Sequence, residues 1–295
     1  MKIAFGMIVF EGDYVLKQCL EQIYPFASQI LIAEGPVSYW QGQGRTTSLD
    51  KTNEILHSFP DPDNKIKIVH GQFNEKDDQC RAYMKYINDD IDYIWNLDSD
   101  EVYKTEDLIK IVDFLKKENP TSVGVRSCTF YGGLDHYLTG FELNTDNFLR
   151  IFRYAPNSNW LTHRPPTIKY PDNMYMERKH IGSDTLFNIL GAQMYHYSYV
   201  FPDQVFKKIN YYKDSVSRSM CIENYFNDVY LPWVLGTNND KYNVEAKYLG
   251  VHEWKPNNRG ECYTTKFIGI HPESIYNDIE TIKLEFNSQL KKYVI

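Results

Sequence analysis

Asp92-Tyr93-Ile94-Trp95-Asn96-Leu97-Asp98-Ser99-Asp100-Glu101 is an apolar strand that runs straight into three carboxylates. Ile94, Trp95 and Leu97 suit a buried strand. Such a strand cannot carry Asp98, Asp100 and Glu101 into a core without a compensating cation or hydrogen-bond donors, so the acids are expected to emerge at its C-terminal end. In an open α/β sheet ligands bind at that edge. A D-x-D there suits a hard divalent ion, Mn²⁺ or Mg²⁺, bridging to a diphosphate. The triplet also reads as an acidic turn, with Glu101 and Asp107 near the N-terminus of the next helix, where negative charge is favoured. By itself it leaves both readings open.

Upstream of this stretch, apolar runs alternate with helical spacing. Residues 3–10, 29–33 and 66–69 read as strands, and residues 14–23, 50–59 and 76–87 as helices, the second closed by the turn around Pro60 and Pro62. With the acidic strand this is a β-α-β-α-β-α-β order, which predicts an α/β fold: a mainly parallel sheet flanked by helices, with right-handed crossovers. Downstream the pattern changes. A helix at 106–117 precedes strands at 122–130 and 148–154, with loops at Gly132-Gly133 and at 144–147, and then polar, Pro-rich sequence at 162–166. A helix is expected at 202–219, followed by aromatic-rich sequence of weak periodicity. The predicted division is a core of residues 1–200 and a smaller C-terminal extension, 201–295, packed on it.

Lys and Arg number 32 against 39 Asp and Glu in 295 residues, and no basic run is long enough for a nucleic-acid stripe. A nucleic-acid partner is therefore not expected. Cys19, Cys80, Cys128, Cys221 and Cys262 are scattered without C-x-x-C spacing and suit free thiols in a reducing compartment. The apolar opening is too short for a membrane span or signal peptide. A soluble cytoplasmic protein is the expectation. Aromatic residues make up 15% of the chain, enough to stack on sugar rings or simply to fill cores.

Glu11 after the first strand, Glu34-Gly35 closing the second, Gly44-Arg45-Thr46-Thr47 leading into a helix, and Asn96 through Glu101 closing the fourth resemble, in this order, a family 2-like glycosyltransferase with a GT-A fold. The resemblance covers about residues 1–215. It implies metal-dependent transfer of a sugar from a nucleotide-sugar donor to a glycan, lipid-linked or protein acceptor, with inversion. On the donor side it implies Glu11, Glu34, Arg81, Asp98, Arg150 and Lys207, with Glu34 near the nucleoside and the basic residues near the phosphates. Asp98 and Asp100 would hold the metal, Asp100 as principal ligand, and His196 would add a ligand or touch a phosphate. Trp160, His163, Arg164 and His271 fall on the acceptor side. Where many relatives place a His-Glu pair this chain has His163-Arg164, which removes the obvious catalytic base and leaves Asp184 and Glu253 as candidates.

Each assignment has a structural alternative: a strand-end acid for Glu34, a core histidine for His196, a solvated helix face for Lys207 and Lys208, and an exposed strand face for Arg150, Phe152 and Tyr154. Two other functions fit parts of the chain. Gly42-Gln43-Gly44-Arg45 resembles the phosphate loop of a nucleotidyltransferase, although it follows the second strand rather than the first. The missing His-Glu suits a noncatalytic carbohydrate-binding protein on the same fold.

Overall fold

A computed structural model describes residues 1–140, 148–172, 177–215 and 220–294. The expected loop at 144–147 and the last part of the expected 202–219 helix lie outside the described residues. The strands are β1 (Ile3–Val9), β2 (Gln29–Glu34), β3 (Ile66–His70), β4 (Tyr93–Asp98), β5 (Glu101–Tyr103), β6 (Ser122–Gly124) and β7 (Ser127–Tyr131). They continue with β8 (His136–Gly140), β9 (Leu149–Arg153), β10 (Asn159–His163), β11 (Pro166–Lys169), β12 (His180–Ile181), β13 (Met194–Tyr199) and β14 (Cys262–Lys266). The chain forms two compact units, Met1–Arg126 with Asp146–Met194, and Ser127–Thr145 with Tyr195–Ile295. The segment 127–145 thus groups with the C-terminal residues.

The first unit is built on a sheet of order β12-β6-β9-β4-β1-β2-β3. β1 pairs in parallel with β2 and β4, and β2 with β3, whereas β9 runs antiparallel to β4 and β6. Helices Leu16–Ile23, Thr52–Ser58 and Lys76–Met84 connect the parallel strands, and Thr105–Glu118 follows β5. This is the mainly parallel, helix-flanked sheet that the sequence predicts. Ile30, Leu31, Ile32 and Ala33 of β2 and Ile94, Trp95 and Leu97 of β4 are buried, as strands covered on both faces must be. Gly6 has a packing role: a Cβ there would lie 2.7 Å from the ring of Tyr83, which the Lys76–Met84 helix lays across β1.

Two expectations change. The run 122–130 is two strands, β6 in this sheet and β7 in the second unit, separated where Val125 N–H donates to the Phe148 carbonyl at 2.9 Å. Both pieces are buried, so apolar content could not mark the change of sheet. The Pro-rich stretch at 162–166 is the tip of a hairpin, with β10 antiparallel to β11 and His163 paired with Pro166.

In the second unit the strands follow the order β14-β8-β7-β13. Its core draws on Tyr131, Tyr199, Tyr225, Tyr230, Trp233 and Val251. The phenols are satisfied inside it, Tyr225 donating to the Val251 carbonyl at 2.5 Å and Tyr230 to that of Val200 at 2.6 Å. Among the described residues no helix is long and apolar enough to cross a membrane, and all five cysteines are buried and outside any disulfide.

Candidate active site

Because β1 to β4 run parallel, their C-terminal ends share one edge of the sheet. Glu11 lies just past β1, and Glu34, His70 and Asp98 are the last residues of β2, β3 and β4. Backbone bonds knit this edge: Gly35 N–H donates to the Val9 carbonyl at 3.2 Å and Gly71 N–H to that of Glu34 at 3.1 Å. Gly35 has φ +144°, and a Cβ there would lie 1.9 Å from the Gly71 carbonyl oxygen, so only glycine fits. The buried Gln79 amide reaches the carbonyls of Val9, Ala33 and Gly35 at 3.3, 3.0 and 3.3 Å.

Glu34 is buried. Its Oε1 accepts from Ser48 N–H at 3.2 Å and Ser48 Oγ at 2.7 Å, and its Oε2 faces His70 Nδ1 at 3.0 Å. Ser48 Oγ in turn accepts from Glu11 N–H at 2.9 Å, and Glu11 forms an ion pair with Arg45. The acids at the ends of β1 and β2 thus hold the 45–48 loop against the edge. The half-exposed group at this point is His70, whose ring stacks on His57 with centroids 5.3 Å apart. Neither Ser48 nor His70 was singled out by motif. The available signal was positional: the last residue of each parallel strand meets the same edge.

The acidic triplet divides. Asp98 and Asp100 are partly exposed at the end of β4, as expected, but Glu101 turns into the core on β5 and is fully buried. Its compensating cation is Arg150 of β9, also fully buried, whose Nε donates to Glu101 Oε2 at 2.8 Å and whose Nη2 pairs with Oε1. The same Nη2 reaches Asp98 Oδ2 at 3.3 Å. Burial opposes the charge on Arg150, but Glu101 and Asp98 outweigh it and hold the guanidinium pKa above its usual value. Arg150, Phe152 and Tyr154 are all buried, so the exposed strand face expected for them is not there. Their side chains pack against the rest of the unit, and Arg150 is affordable inside only because Glu101 is there. Beneath the triplet, burial first and then the fields of Glu101, Asp100 and Asp98 push the Cys19 thiol well above the usual range.

The β10–β11 hairpin is clamped to the Lys76–Met84 helix. Arg81 Nε donates to the Trp160 carbonyl at 3.0 Å and its Nη2 to that of Leu161 at 2.5 Å, and His163 N–H donates to Asp77 Oδ1 at 2.7 Å. Arg81, expected on the donor side, is therefore engaged with the hairpin. Trp160, expected on the acceptor side, is buried edge-on against Phe152 with centroids 5.2 Å apart. Burial, then Lys76 and Arg164, push the His163 imidazole down to about 3, so it is neutral near pH 7. Arg164, at the hairpin tip, reaches over β4 and donates to Asp98 Oδ2 at 2.6 Å.

Asp184, on the Ser183–Leu190 helix, is ion-paired to Arg126 at 3.0 Å. That helix packs beside β6, and β9 separates β6 from β4. The other candidates lie in the second unit. Glu253 is fully buried, accepting from Tyr199 OH at 2.9 and 2.7 Å and facing His252 Nδ1 at 2.9 Å. Burial would raise its pKa, but His252, Lys208 and Tyr199 together hold it down at about 2, which makes it a poor base with no surface open to an acceptor. His271 is also buried, with Tyr197 OH 2.9 Å from Nδ1 and the Leu134 carbonyl 3.0 Å from Nε2. His196 is buried on β13 and Lys207 half-buried on the Pro202–Ser215 helix. Lys208 is no solvated face, since its ammonium lies 3.8 Å from the centre of the Tyr199 ring.

Among the described residues no group of three His, Cys, Asp or Glu side chains is arranged to hold a metal ion. Mg²⁺ and Mn²⁺ at phosphate sites need fewer, because one or two carboxylates suffice when substrate phosphates and water complete the shell. Asp98 and Asp100 fit that requirement in donor chemistry and in their partial exposure.

Among solved structures, this chain is similar to S. aureus TarS 1–349, with 11% identity over 84% of this chain and 72% of that one and a TM-score of 0.42. The same fragment in complex with UDP-GlcNAc aligns at 13% identity over 82% and 73% with a TM-score of 0.40, and the chain spans 43% of a longer TarS at a TM-score of 0.39. No curated protein matches. The model of glycosyl transferase family 2 matches residues 46–199, just over half of the chain and the segment that holds Asp98, Asp100, Arg150 and Arg164, and the chain belongs to that family, a glycosyltransferase on a GT-A-like sheet.

Proposed function

We propose that this chain transfers a sugar, with inversion and with the help of a divalent metal, from a nucleotide sugar to a glycan, lipid-linked or protein acceptor. The observation that carries the reading is the pair Asp98 and Asp100, partly exposed at the end of β4 on the sheet edge where ligands bind. Mn²⁺ or Mg²⁺ held by these two carboxylates would neutralise the charge that develops on the leaving nucleoside diphosphate. The chain's own residues prepare the place. Arg150 orients Asp98 from below, Glu34 and Ser48 fix the 45–48 loop at the nucleoside end, and His70 offers a half-exposed ring there. In this reading residues 1–200 form the donor core and residues 201–295 serve the acceptor side. His163 in the hairpin, with its neutral imidazole as a hydrogen-bonding group, faces the acceptor in this reading. Asp184, exposed where Glu253 is sealed, is the residue to test for deprotonation of the acceptor hydroxyl. Free thiols suit a reducing compartment, so the cytoplasm is the proposed setting.

The test is a screen of UDP, GDP, CMP and dTDP sugars with Mn²⁺, reading thermal stabilisation and then product. Release of the nucleoside phosphate leaving group with sugar transfer supports the reading. Release of pyrophosphate means nucleotidyl transfer instead, and sugar binding without turnover means a carbohydrate-binding protein.

A further inference from the structure

Asp98 Oδ2 has two guanidinium partners of opposite character. Arg150, fully buried, lies 3.3 Å away and is fixed by Glu101. Arg164, with 47% of its side chain exposed, lies 2.6 Å away and projects from the hairpin tip. The backbone under Arg164 is held, because Arg81 fastens the Trp160 and Leu161 carbonyls and Asp77 the His163 N–H. Of the two partners, Arg164 is the one with its side chain open to solvent.

We propose that Arg164 is an exchangeable counter-ion: it neutralises Asp98 when the site is empty and moves to a phosphate of the donor when the metal-bound diphosphate arrives. This rests on the reading of the sheet edge as the diphosphate site. The exchange follows from charge and geometry. A guanidinium and a hard cation compete for the same carboxylate lone pairs and repel one another, so the exposed Arg164 would give way before the buried Arg150 if Asp98 held a metal. The planar fork of the released Arg164 suits bidentate bonding to phosphate oxygens. Arg150 stays behind, so Asp98 never loses its orientation during the exchange.

The experiment is calorimetric titration of the full chain with Mn²⁺ alone and with Mn²⁺ plus inorganic pyrophosphate, comparing wild type, Arg164→Ala and Arg164→Lys. Arg164→Ala is expected to bind Mn²⁺ alone about two- to fivefold more tightly, the worth of an exposed ion pair that no longer competes. The same variant is expected to bind pyrophosphate in the presence of Mn²⁺ on the order of tenfold more weakly, through loss of a charge-assisted contact. Arg164→Lys falls between in both, since the ammonium keeps the charge and loses the fork. A purely structural arginine would shift both affinities the same way, and that result, no shift in either, or no binding of Mn²⁺ and pyrophosphate by wild type overturns the proposal. If Arg164→Ala does not fold, Arg164→Lys carries the same opposite-sign test. Opposite shifts in a chain that releases no product from any nucleotide sugar would leave the exchange standing and remove the glycosyl-transfer reading.

Discussion

Asp98 and Glu253 are both carboxylates hydrogen-bonded to neighbours, one in each compact unit, and they are put to opposite uses. Asp98 ends a strand at the C-terminal edge of the parallel sheet, is 23% exposed, and has one buried and one exposed cationic partner. Glu253 is enclosed on every side, with Tyr199 and His252 in direct contact and Lys208 adding its field. On the proposed reading the difference separates a site from a strut: the site keeps one exposed partner that a ligand can replace, whereas the strut has every partner buried with it. Glu101 is the strut of the first unit, and it lies three residues from Asp98.

The largest expected effect breaks that first strut. Arg150→Met leaves Glu101 buried without its cation and should cost about 3–5 kcal/mol of stability. Pairing it with Glu101→Leu should recover most of the loss, because the apolar pair carries no unpaired charge. Denaturant titration of the three proteins checks it, and a single-variant cost below about 1 kcal/mol would mean the pair is not a strut. Next in size is Glu253→Gln, expected to cost about 1–3 kcal/mol by removing the charge that Tyr199 and His252 are arranged around. The wild-type contribution has a defined pH window. The folded carboxyl titrates near 2, below its ordinary 4.5, so the unfolded chain binds the proton first and the stability is lost as pH falls from 4.5 toward 2. A melting series across that range should be steeper for wild type than for Glu253→Gln.

The smallest effect sharpens the comparison at the hairpin. His163 titrates near 3 in the folded chain against 6.5 when free, so it too favours the folded state only while neutral, and its stabilisation is lost as pH falls from 6.5 toward 3. His163→Gln should flatten the melting profile between pH 6.5 and about 4. An unchanged profile would show that this ring titrates as an exposed one.

What the sequence displays is what local chemistry dictates. The parallel strands were legible because Ile30 to Ala33 and Ile94 to Leu97 are apolar runs with helical spacing between them, and Asp98 was legible as a strand end because a bare carboxylate cannot stay in such a run. Glu101 was not, since its burial depends on Arg150, a partner 49 residues away. The hairpin hid behind Pro165 and Pro166, whose composition reads as loop, and the clamp from Arg81 and Asp77 is again non-local. In the last third, Tyr225, Tyr230 and Trp233 fill a core with residues that also suit sugar stacking, so hydrophobic periodicity was weak and His271 looked available when it is packed against Phe130 and Phe267.

In the proposed reading the partly exposed Asp100 carries its charge for a ligand and not for the fold. Asp100→Asn keeps the shape and one carbonyl acceptor and deletes the charge that a hard cation requires. Steady-state donor turnover at saturating Mn²⁺, measured beside a melting curve, should fall on the order of a thousandfold or more while the melting temperature holds or rises slightly, as relief of repulsion from Asp98 would produce. Turnover within a few-fold of wild type would contradict the account and make Asp98-Ser99-Asp100 no more than an acidic turn.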